Sequence, residues 1–306
     1  MEIPIQELVL PIFLEKKTHV FIKREDLNHS YISGNKLRKL KYNILKASKL
    51  NQDTLLTFGG AFSNHILATA SAGYENGFKT IGVIRGDELK NNPKVLEKNE
   101  TLKLAHHFGM QFYFVSREIY RQKTETTFIE KLKKKFGDFY LIPEGGTNEL
   151  AVKGVEEILT ETSQTQNFDY ITCSMGTGGT FSGLINASQK HQTILGFPAL
   201  KDIVFFKDII NQYTCKKNYH LITDYHFGGF AKYNESLIHF INEIKDIAKL
   251  PLEPIYTAKM LYGLVDLIKN DYFEENSRIL MIHTGGLQGL KGFNEKLKRK
   301  KQTLIK

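Results

Sequence analysis

The alternation of short apolar runs with longer segments of helical periodicity constrains the fold more than any other feature of the chain. Runs rich in β-branched and aromatic residues predict strands at Thr54–Phe58, Thr80–Ile84, Gln111–Val115, Phe139–Ile142, Tyr170–Cys173, Thr193–Phe197, His220–Thr223 and Ile279–His283. Helical spacing lies between most of them, as in Val95–His107, Asn148–Thr162, Glu235–Lys249 and Thr257–Lys269. This order predicts an α/β fold of open, twisted, mostly parallel sheets with helices on both faces.

Size and composition indicate a soluble protein with a large core. The chain has 306 residues, of which 41% are hydrophobic and 25% charged, and this length usually forms two domains. The apolar run Leu8–Leu14 is broken by Pro11 and is too short to span a membrane. The first residues lack the basic start of a secretory signal, so we expect no membrane partner and a cytoplasmic location.

Neither the cysteines nor the charge points to a metal or to nucleic acid. Cys173 and Cys215 have no metal-type spacing, so we expect buried thiols, and no histidine lies in a zinc motif. The net charge is +9, and residues 292–306 supply +5 of it, with six basic side chains and one acid. Without an aromatic-interleaved basic patch, this tail predicts a solvated helix end and no nucleic-acid partner.

Four loops that follow predicted strands have unusual compositions. They are Gly59–His65, Pro143–Asn148, Ser174–Thr180 and His283–Gly286. In open α/β sheets, ligands bind at the carboxyl ends of the strands, so these loops are the predicted place of the chemistry.

The loop Gly176-Thr177-Gly178-Gly179-Thr180 joins a strand to a helix and is typical of a phosphate cradle. A dinucleotide fingerprint would need glycine in place of Phe181, and a P-loop would need Lys-Ser or Lys-Thr in place of Leu184-Ile185. NAD and ATP are therefore disfavoured. A tight turn without a ligand remains an alternative.

A second candidate is the segment Ser33–Leu40, which opens a helix with an apolar stripe. Lys36 and Lys39 are three residues apart and so share one face of that helix. A solvated lysine face is the ordinary interpretation. The alternative is pyridoxal phosphate, whose aldehyde and phosphate arms are adjacent, so that one lysine forms the Schiff base while the other meets the phosphate.

The turn Ser63-Asn64-His65 places a hydroxyl, an amide and an imidazole at a helix start. Plain N-capping explains it equally well. A catalytic Ser-His pair is disfavoured because residues two apart on a helix do not face each other. Together with the positive end of the helix dipole, these groups suit a substrate carboxylate.

Taken in order, the motifs resemble a known family, the 1-aminocyclopropane-1-carboxylate (ACC) deaminase and D-cysteine desulfhydrase family of pyridoxal-phosphate enzymes of fold type II. The resemblance runs from about residue 20 to 290. It rests on Lys23–Leu27, Gly34–Leu40, Gly59-Gly60 with Ser63–His65, Pro143–Gly146, Gly176–Thr180, Pro254–Thr257 and His283–Gly286.

The resemblance implies a role for each matching position. Lys36 would hold the cofactor covalently, and Tyr256 would face the reacting carbon. The phosphate would be bound by Lys39 and by the backbone of Gly176, Thr177, Gly178, Gly179 and Thr180. The substrate carboxylate would be bound by Ser63, Asn64 and His65, with Asn64 also beside the cofactor and Ser63 also moving protons.

The resemblance also implies a domain arrangement and a partner. Residues 1–50 and 168–306 would form a larger cofactor-binding domain, and residues 51–167 a smaller inserted α/β domain. Members of the family are dimers, which implies a homodimer. They act on small amino acids, which implies a substrate of this class.

Three departures bear on the reaction. Thr257 stands where ACC deaminases have a glutamate that pairs with the pyridine nitrogen, and Thr284 resembles the desulfhydrase threonine that meets this nitrogen instead. His65 is also the desulfhydrase-like residue. Phe230 aligns with a second active-site tyrosine of both branches, so that hydroxyl is missing unless Tyr225 or Tyr233 replaces it.

These features imply a lyase or deaminase. A neutral hydroxyl makes the ring a weaker electron sink, which favours β-elimination from a substrate such as D-cysteine, to oxo acid and ammonia. ACC deamination is the related activity, and the missing tyrosine counts against it. A serine or threonine dehydratase-like enzyme and a non-catalytic protein that binds pyridoxal phosphate are the alternatives.

Overall fold

The computed structural model describes residues 3–90 and 95–306, which form two β-sheets with helices packed on them. The strands are β1 (Ile5–Leu8), β2 (His19–Lys23), β3 (Thr54–Gly60), β4 (Lys79–Arg85), β5 (Gln111–Val115), β6 (Tyr140–Ile142), β7 (Tyr170–Met175), β8 (Thr193–Pro198), β9 (Tyr219–Leu221) and β10 (Arg278–Ile282). The first sheet has the order β1-β2-β10-β7-β8-β9, and the second has the order β5-β4-β3-β6. Every pairing is parallel except that of β1 with β2.

The helices cover these sheets. They are α1 (Pro11–Glu15), α2 (Asn35–Lys49), α3 (Asn64–Glu75), α4 (Val95–Lys98), α5 (Glu100–His107), α6 (Arg117–Arg121), α7 (Thr126–Phe136), α8 (Glu149–Thr160), α9 (Gly179–Ala187), α10 (Ile203–Tyr213), α11 (Glu235–Ala248), α12 (Thr257–Lys269) and α13 (Leu290–Arg299). The predicted α/β class is confirmed. The central strands are buried along almost their whole length, as expected for parallel strands covered on both faces.

Sequence and structure differ in three places. The single helix predicted over Val95–His107 is two helices, because the side chain of Asn99 accepts a hydrogen bond from Leu102 N at 3.1 Å and starts α5 anew. Strands β1 and β2 are absent from the predicted set. The expectation of two buried thiols holds for Cys173 and is wrong for Cys215, which is exposed.

All strands of the second sheet lie within residues 51–167, and all strands of the first lie outside that range. The division into a larger and a smaller domain at these bounds stays a prediction. Within residues 3–90 and 95–306, no helix is both long and apolar enough to cross a membrane.

Loops from the two sheets meet at one place. Thr147, after β6 of the second sheet, and Thr177, after β7 of the first, bring their hydroxyl oxygens to within 2.6 Å of each other. The Nδ2 atom of Asn64, which begins α3, lies 3.1 Å from where a Cβ on Gly286 would stand. Loops at the carboxyl ends of strands in both sheets are thus in contact, at the place where the sequence predicts the chemistry.

Candidate functional site

The N-terminus of α2 is fixed by a buried ionic network. Arg38 donates two hydrogen bonds of 3.0 Å to the carboxylate of Glu25, and its guanidinium also lies 2.7 Å from Glu161. Asn28 accepts from Gly34 N at 3.0 Å and donates to Gly34 O at 2.9 Å. Gly34 has a φ of +70°, and a Cβ there would lie 1.9 Å from Thr284 O. The motif Lys23–Leu27 therefore holds the helix that carries both candidate lysines.

Lys36 and Lys39 both reach the loop that follows β6. Their Nζ atoms lie 3.1 Å and 2.9 Å from the same acceptor, Gly145 O. Lys39 also donates to Thr147 Oγ1 at 2.9 Å. Burial lowers the pKa of Lys36 to about 8, and burial together with the charge of Lys36 lowers the pKa of Lys39 well below its usual value. Within the described residues, neither ammonium has a carboxylate partner, so the pair favours an added anion.

The glycine-rich loop faces these lysines. Gly178 is the N-cap of α9, with a φ of +80°, and no side chain caps the helix. The first backbone N–H groups of α9 are thus free, as a phosphate site requires. A Cβ on Gly179 would lie 2.7 Å from Thr147 Cγ2, so only glycine leaves the space open. Thr180 Oγ1 accepts a hydrogen bond of 2.7 Å from Asn35, and Thr177 Oγ1 lies 3.4 Å from Lys39 Nζ.

Helix α3 begins without a side-chain cap. Ser63 is its N-cap residue, yet its hydroxyl makes no capping hydrogen bond. In contrast, the N-cap side chains of α5, α6, α8, α10 and α11 each accept a hydrogen bond from a backbone N–H of their helix. The Ser63 hydroxyl, the adjacent Asn64 amide and the positive helix end are therefore available to a carboxylate.

The His65 imidazole uses one ring nitrogen in a contact with the second sheet. It is buried, and its Nε2 lies 2.8 Å from Thr57 Oγ1 in the core of the second sheet. Burial and the nearby lysine charges hold the pKa of His65 well below its usual value, so the ring is neutral. Its Nδ1 faces the loop that follows β6, 3.3 Å from where a Cβ on Gly146 would stand, and a contact of His65 with a substrate carboxylate stays a prediction.

Two hydroxyls meet at the ends of β7 and β10. Thr284 Oγ1 lies 3.1 Å from Ser174 Oγ, and both side chains are buried. Thr257 stands where the resemblance gives ACC deaminases a glutamate. It is also buried, but its hydroxyl is bonded to Glu253 and not to the pair of Thr284 and Ser174. The carboxylate of Glu253 accepts the backbone N–H groups of Tyr256 and Thr257 at 2.8 Å and 2.7 Å and so caps α12.

Tyr256 lies over the glycine-rich loop. Its hydroxyl oxygen is 3.1 Å from where a Cβ on Gly176 would stand, and burial raises its pKa. Phe230 packs edge-on against it, with ring centroids 6.1 Å apart. Tyr225 donates to Asp266 at 2.7 Å and Tyr233 to Gln302 at 2.8 Å, so both hydroxyls are engaged elsewhere. Phe230 is therefore the aromatic neighbour of Tyr256, and no tyrosine of this segment supplies a second hydroxyl there.

The structure adds residues that the sequence argument did not select. Gly145 O, Thr147 and Asn35 complete the surroundings of the two lysines, and Ser174 pairs with Thr284. Thr147 and Ser174 stand in two of the unusual loops, so their positions were indicated. The part played by Asn35 depends on a contact with a residue 145 positions away, which local sequence cannot show.

The residues fit a ligand that carries both a phosphate and a carbonyl group. In the part of the chain that the structure describes, two buried lysines lack acid partners and the start of α9 has no side-chain cap, and these features with the glycine-lined floor provide for the phosphate. A lysine whose pKa is lowered to about 8 is suited to attack a carbonyl. These are the requirements of an enzyme that binds pyridoxal phosphate.

Comparison with known proteins agrees with this class. The chain belongs to the family of pyridoxal-phosphate-dependent enzymes, whose match covers residues 7–204. A Thermotoga maritima protein provisionally named 1-aminocyclopropane-1-carboxylate deaminase is 33% identical, over 89% of this chain and 90% of that protein. The mitochondrial bifunctional D-cysteine desulfhydrase/1-aminocyclopropane-1-carboxylate deaminase of Arabidopsis thaliana is 29% identical, over 94% of this chain and 77% of that protein.

Solved structures confirm the fold. A crystal structure described as an ACC deaminase homologue superposes with a TM-score of 0.82 at 29% identity, covering 98% of this chain and 94% of that one. The architecture is fold type II of the pyridoxal-phosphate enzymes, and the cofactor is pyridoxal phosphate.

Proposed function

We propose that this enzyme catalyses β-elimination on a small amino acid, with D-cysteine as the reference substrate and sulfide, pyruvate and ammonia as products. The observation that carries the proposal is the uncharged hydroxyl pair of Thr284 and Ser174 at the end of the first sheet. A hydroxyl next to the pyridine nitrogen does not hold a proton there as a carboxylate does, which favours elimination over transamination.

The neighbouring side chains divide the work. When bound, pyridoxal phosphate supplies an electron sink for negative charge at the substrate Cα. Ser63 and the N–H groups at the start of α3 bind the substrate carboxylate and orient the Cα–H bond. The Lys36 amine takes the Cα proton, because its pKa, lowered to about 8, leaves a larger neutral fraction near neutral pH than an ordinary lysine has. Tyr256 keeps its own proton, since its pKa is raised, and it can donate that proton to the departing sulfur.

ACC deamination is the second candidate, favoured by the names of the relatives. ACC has no hydrogen at Cα, so its ring must be opened by a nucleophile or by proton removal at Cβ. The resemblance assigns this step to two tyrosines. By the resemblance, Phe230 aligns with the second tyrosine; its ring packs against Tyr256 and has no group to move a proton. We therefore propose that elimination is faster than ACC turnover.

The remaining alternatives are tested by the same experiment. A dehydratase-like enzyme would prefer serine or threonine, and a non-catalytic protein would bind pyridoxal phosphate without turnover. A homodimer is also proposed on the resemblance, and the cytoplasmic location expected from the sequence is proposed with it.

The test compares D-cysteine, D-serine, L-serine, L-threonine and ACC on the purified protein, by the visible band of lysine-bound pyridoxal phosphate and by the oxo acid and sulfide released. Lys36→Ala should lose the band and the turnover. The control Lys41→Ala lies on the same helix, where Lys41 is exposed and paired with Glu157 at 2.7 Å, and it should keep both. A band without any product would support the non-catalytic alternative, and faster serine or threonine turnover would support the dehydratase.

A further inference from the structure

Lys259 is a buried lysine that the proposed chemistry does not use. It lies on α12 three residues after Tyr256, and only 3% of its surface is exposed. Its Nζ donates to His226 O at 2.8 Å and to Gly229 O at 2.9 Å. Glu253 is the carboxylate whose negative charge favours the charged form of Lys259. Within the described residues, no acid lies at salt-bridge distance from Lys259. Burying a cation whose hydrogen bonds go to backbone carbonyls costs free energy, so we expect Lys259 to have a compensating role.

The loop that Lys259 contacts has an unfavourable backbone. Phe227 and Ala231 have φ values of +53° and +54°, and Gly228 and Gly229 have values of +93° and +120°. A non-glycine residue in this region costs about 1 kcal/mol or more, and such a conformation persists only where its surroundings enforce it. Phe227 packs on Tyr262 with ring centroids 5.1 Å apart, which secures one end of the loop.

The other end of the loop carries Phe230, whose side chain is 48% exposed. Its contact with Tyr256 is a single edge-on packing of two rings, too little by itself to order a half-exposed residue. Lys259 spans both parts, because it is bonded to the loop and belongs to the helix that Tyr256 precedes.

We propose that Lys259 is a positioning residue, whose ammonium holds the 226–230 loop in place and thereby keeps Phe230 against Tyr256 as a wall of the substrate site. The statement about substrate rests on the proposed function, whereas the statement about the loop does not. Phe230 then limits the space around the reacting carbon only while the loop is held.

The chain has no tryptophan, which gives a direct test. Phe230→Trp places a single tryptophan on the loop, beside Tyr256, where its emission and its energy transfer to bound pyridoxal phosphate would report the position of the loop. In the cofactor-loaded protein, adding Lys259→Met should shift the emission to the red, raise acrylamide quenching about twofold or more and weaken energy transfer to the cofactor, because the loop loses two charge-assisted bonds. In the chain with native Phe230, K259M should raise KM by about tenfold, because a smaller fraction of the protein has the loop in place.

K259M should fold, because each carbonyl keeps another donor. His226 O still accepts from Gly229 N at 3.0 Å, and Gly229 O from Lys232 N at 3.2 Å. Lys259→Gln retains a neutral donor and should give an intermediate shift. The matched control is Lys216→Met, since Lys216 also donates to two backbone carbonyls, Asn186 O and Ser188 O, both at 2.7 Å, away from the site. It should leave the tryptophan emission unchanged.

Unchanged emission and quenching in folded F230W/K259M would overturn the inference while leaving the proposed function intact. Equal shifts from K216M and K259M would also overturn it, since the effect would then be general. The emission could also shift in K259M alone while the wild-type protein turns over none of the substrates. That result would support the dependence of the loop on Lys259 and would refute the proposed function.

Discussion

Replacing Lys39 by methionine should stabilise the protein without cofactor and weaken its hold on the cofactor. The Lys39 side chain is 2% exposed and lies next to a second cation, and its partners among the residues that the structure describes are Gly145 O and two threonine hydroxyls. Methionine has a similar length and no charge. The partners are not orphaned, because Gly145 O keeps Lys36 at 3.1 Å and Thr147 keeps Thr177 at 2.6 Å.

The two effects can be given magnitudes. Removing an uncompensated buried charge should raise the unfolding free energy of the cofactor-free protein by about 1–3 kcal/mol. Losing a charge-assisted hydrogen bond to the phosphate, worth about 1.5–3 kcal/mol, should raise the cofactor Kd about 10- to 100-fold. At about 100 times the wild-type Kd, the cofactor adds about 2.7 kcal/mol to the wild type, but only about 0.4 kcal/mol to a variant weakened 100-fold.

Urea unfolding with and without pyridoxal phosphate measures the stabilities, and titration of the visible band measures Kd. The control Lys41→Met removes an exposed ion pair on the same helix, and should change stability by less than about 1 kcal/mol and Kd not at all. An unchanged Kd in K39M, or a cofactor-free K39M less stable than the wild type, would refute the reasoning.

The dependence on pH checks the electrostatic cause. A lysine whose pKa is lowered by folding penalises the folded state fully below that pKa, and the penalty is relieved as pH rises, because the unfolded chain then binds more protons. For Lys36 this window opens at about pH 8. The unfolding free energy of the cofactor-free wild type should rise by up to about 1.4 kcal/mol per pH unit for each such lysine, and that of K39M should rise less. The comparison holds up to about pH 9.5, above which tyrosines begin to titrate.

Three further outcomes are expected. The rate at which the cofactor-free protein recaptures pyridoxal phosphate should rise as pH passes about 8, since Lys36 reacts as the free amine. Stopped-flow absorbance measures this rate, and a rate that does not change with pH would contradict the expectation. Tyr256→Phe should lower turnover about 100-fold or more while leaving the visible band unchanged, if its hydroxyl moves a proton; full activity by pyruvate release would exclude that role. Phe230→Tyr should raise ACC turnover relative to D-cysteine turnover, because it adds a hydroxyl beside Tyr256, and an unaltered ratio in parallel assays would argue against this.

The parts that local sequence predicts best are those with strong local causes. Glycine-rich turns after buried strands predict the loop Gly176–Thr180, and the stripe of α2 predicts that Lys36 and Lys39 share one helix face. That the loop and the lysines lie together was implied by the family resemblance and not by local pattern. The orientation of His65 could not be predicted, because it depends on Thr57 in the neighbouring strand. Lys259 was missed for the same reason, since its partners are carbonyls 30 and 33 residues away.

The order of strands in the first sheet has a consequence for synthesis of the chain. The strand between β2 and β7 is β10, which comes from residues 278–282. The second sheet is complete once residue 142 has left the ribosome, whereas the first keeps two unpaired inner edges until almost the whole chain has been made. Contacts between such distant segments form slowly, and exposed strand edges promote aggregation. Chains that terminate before residue 278 should therefore be insoluble, however intact their lysines and glycine-rich loop.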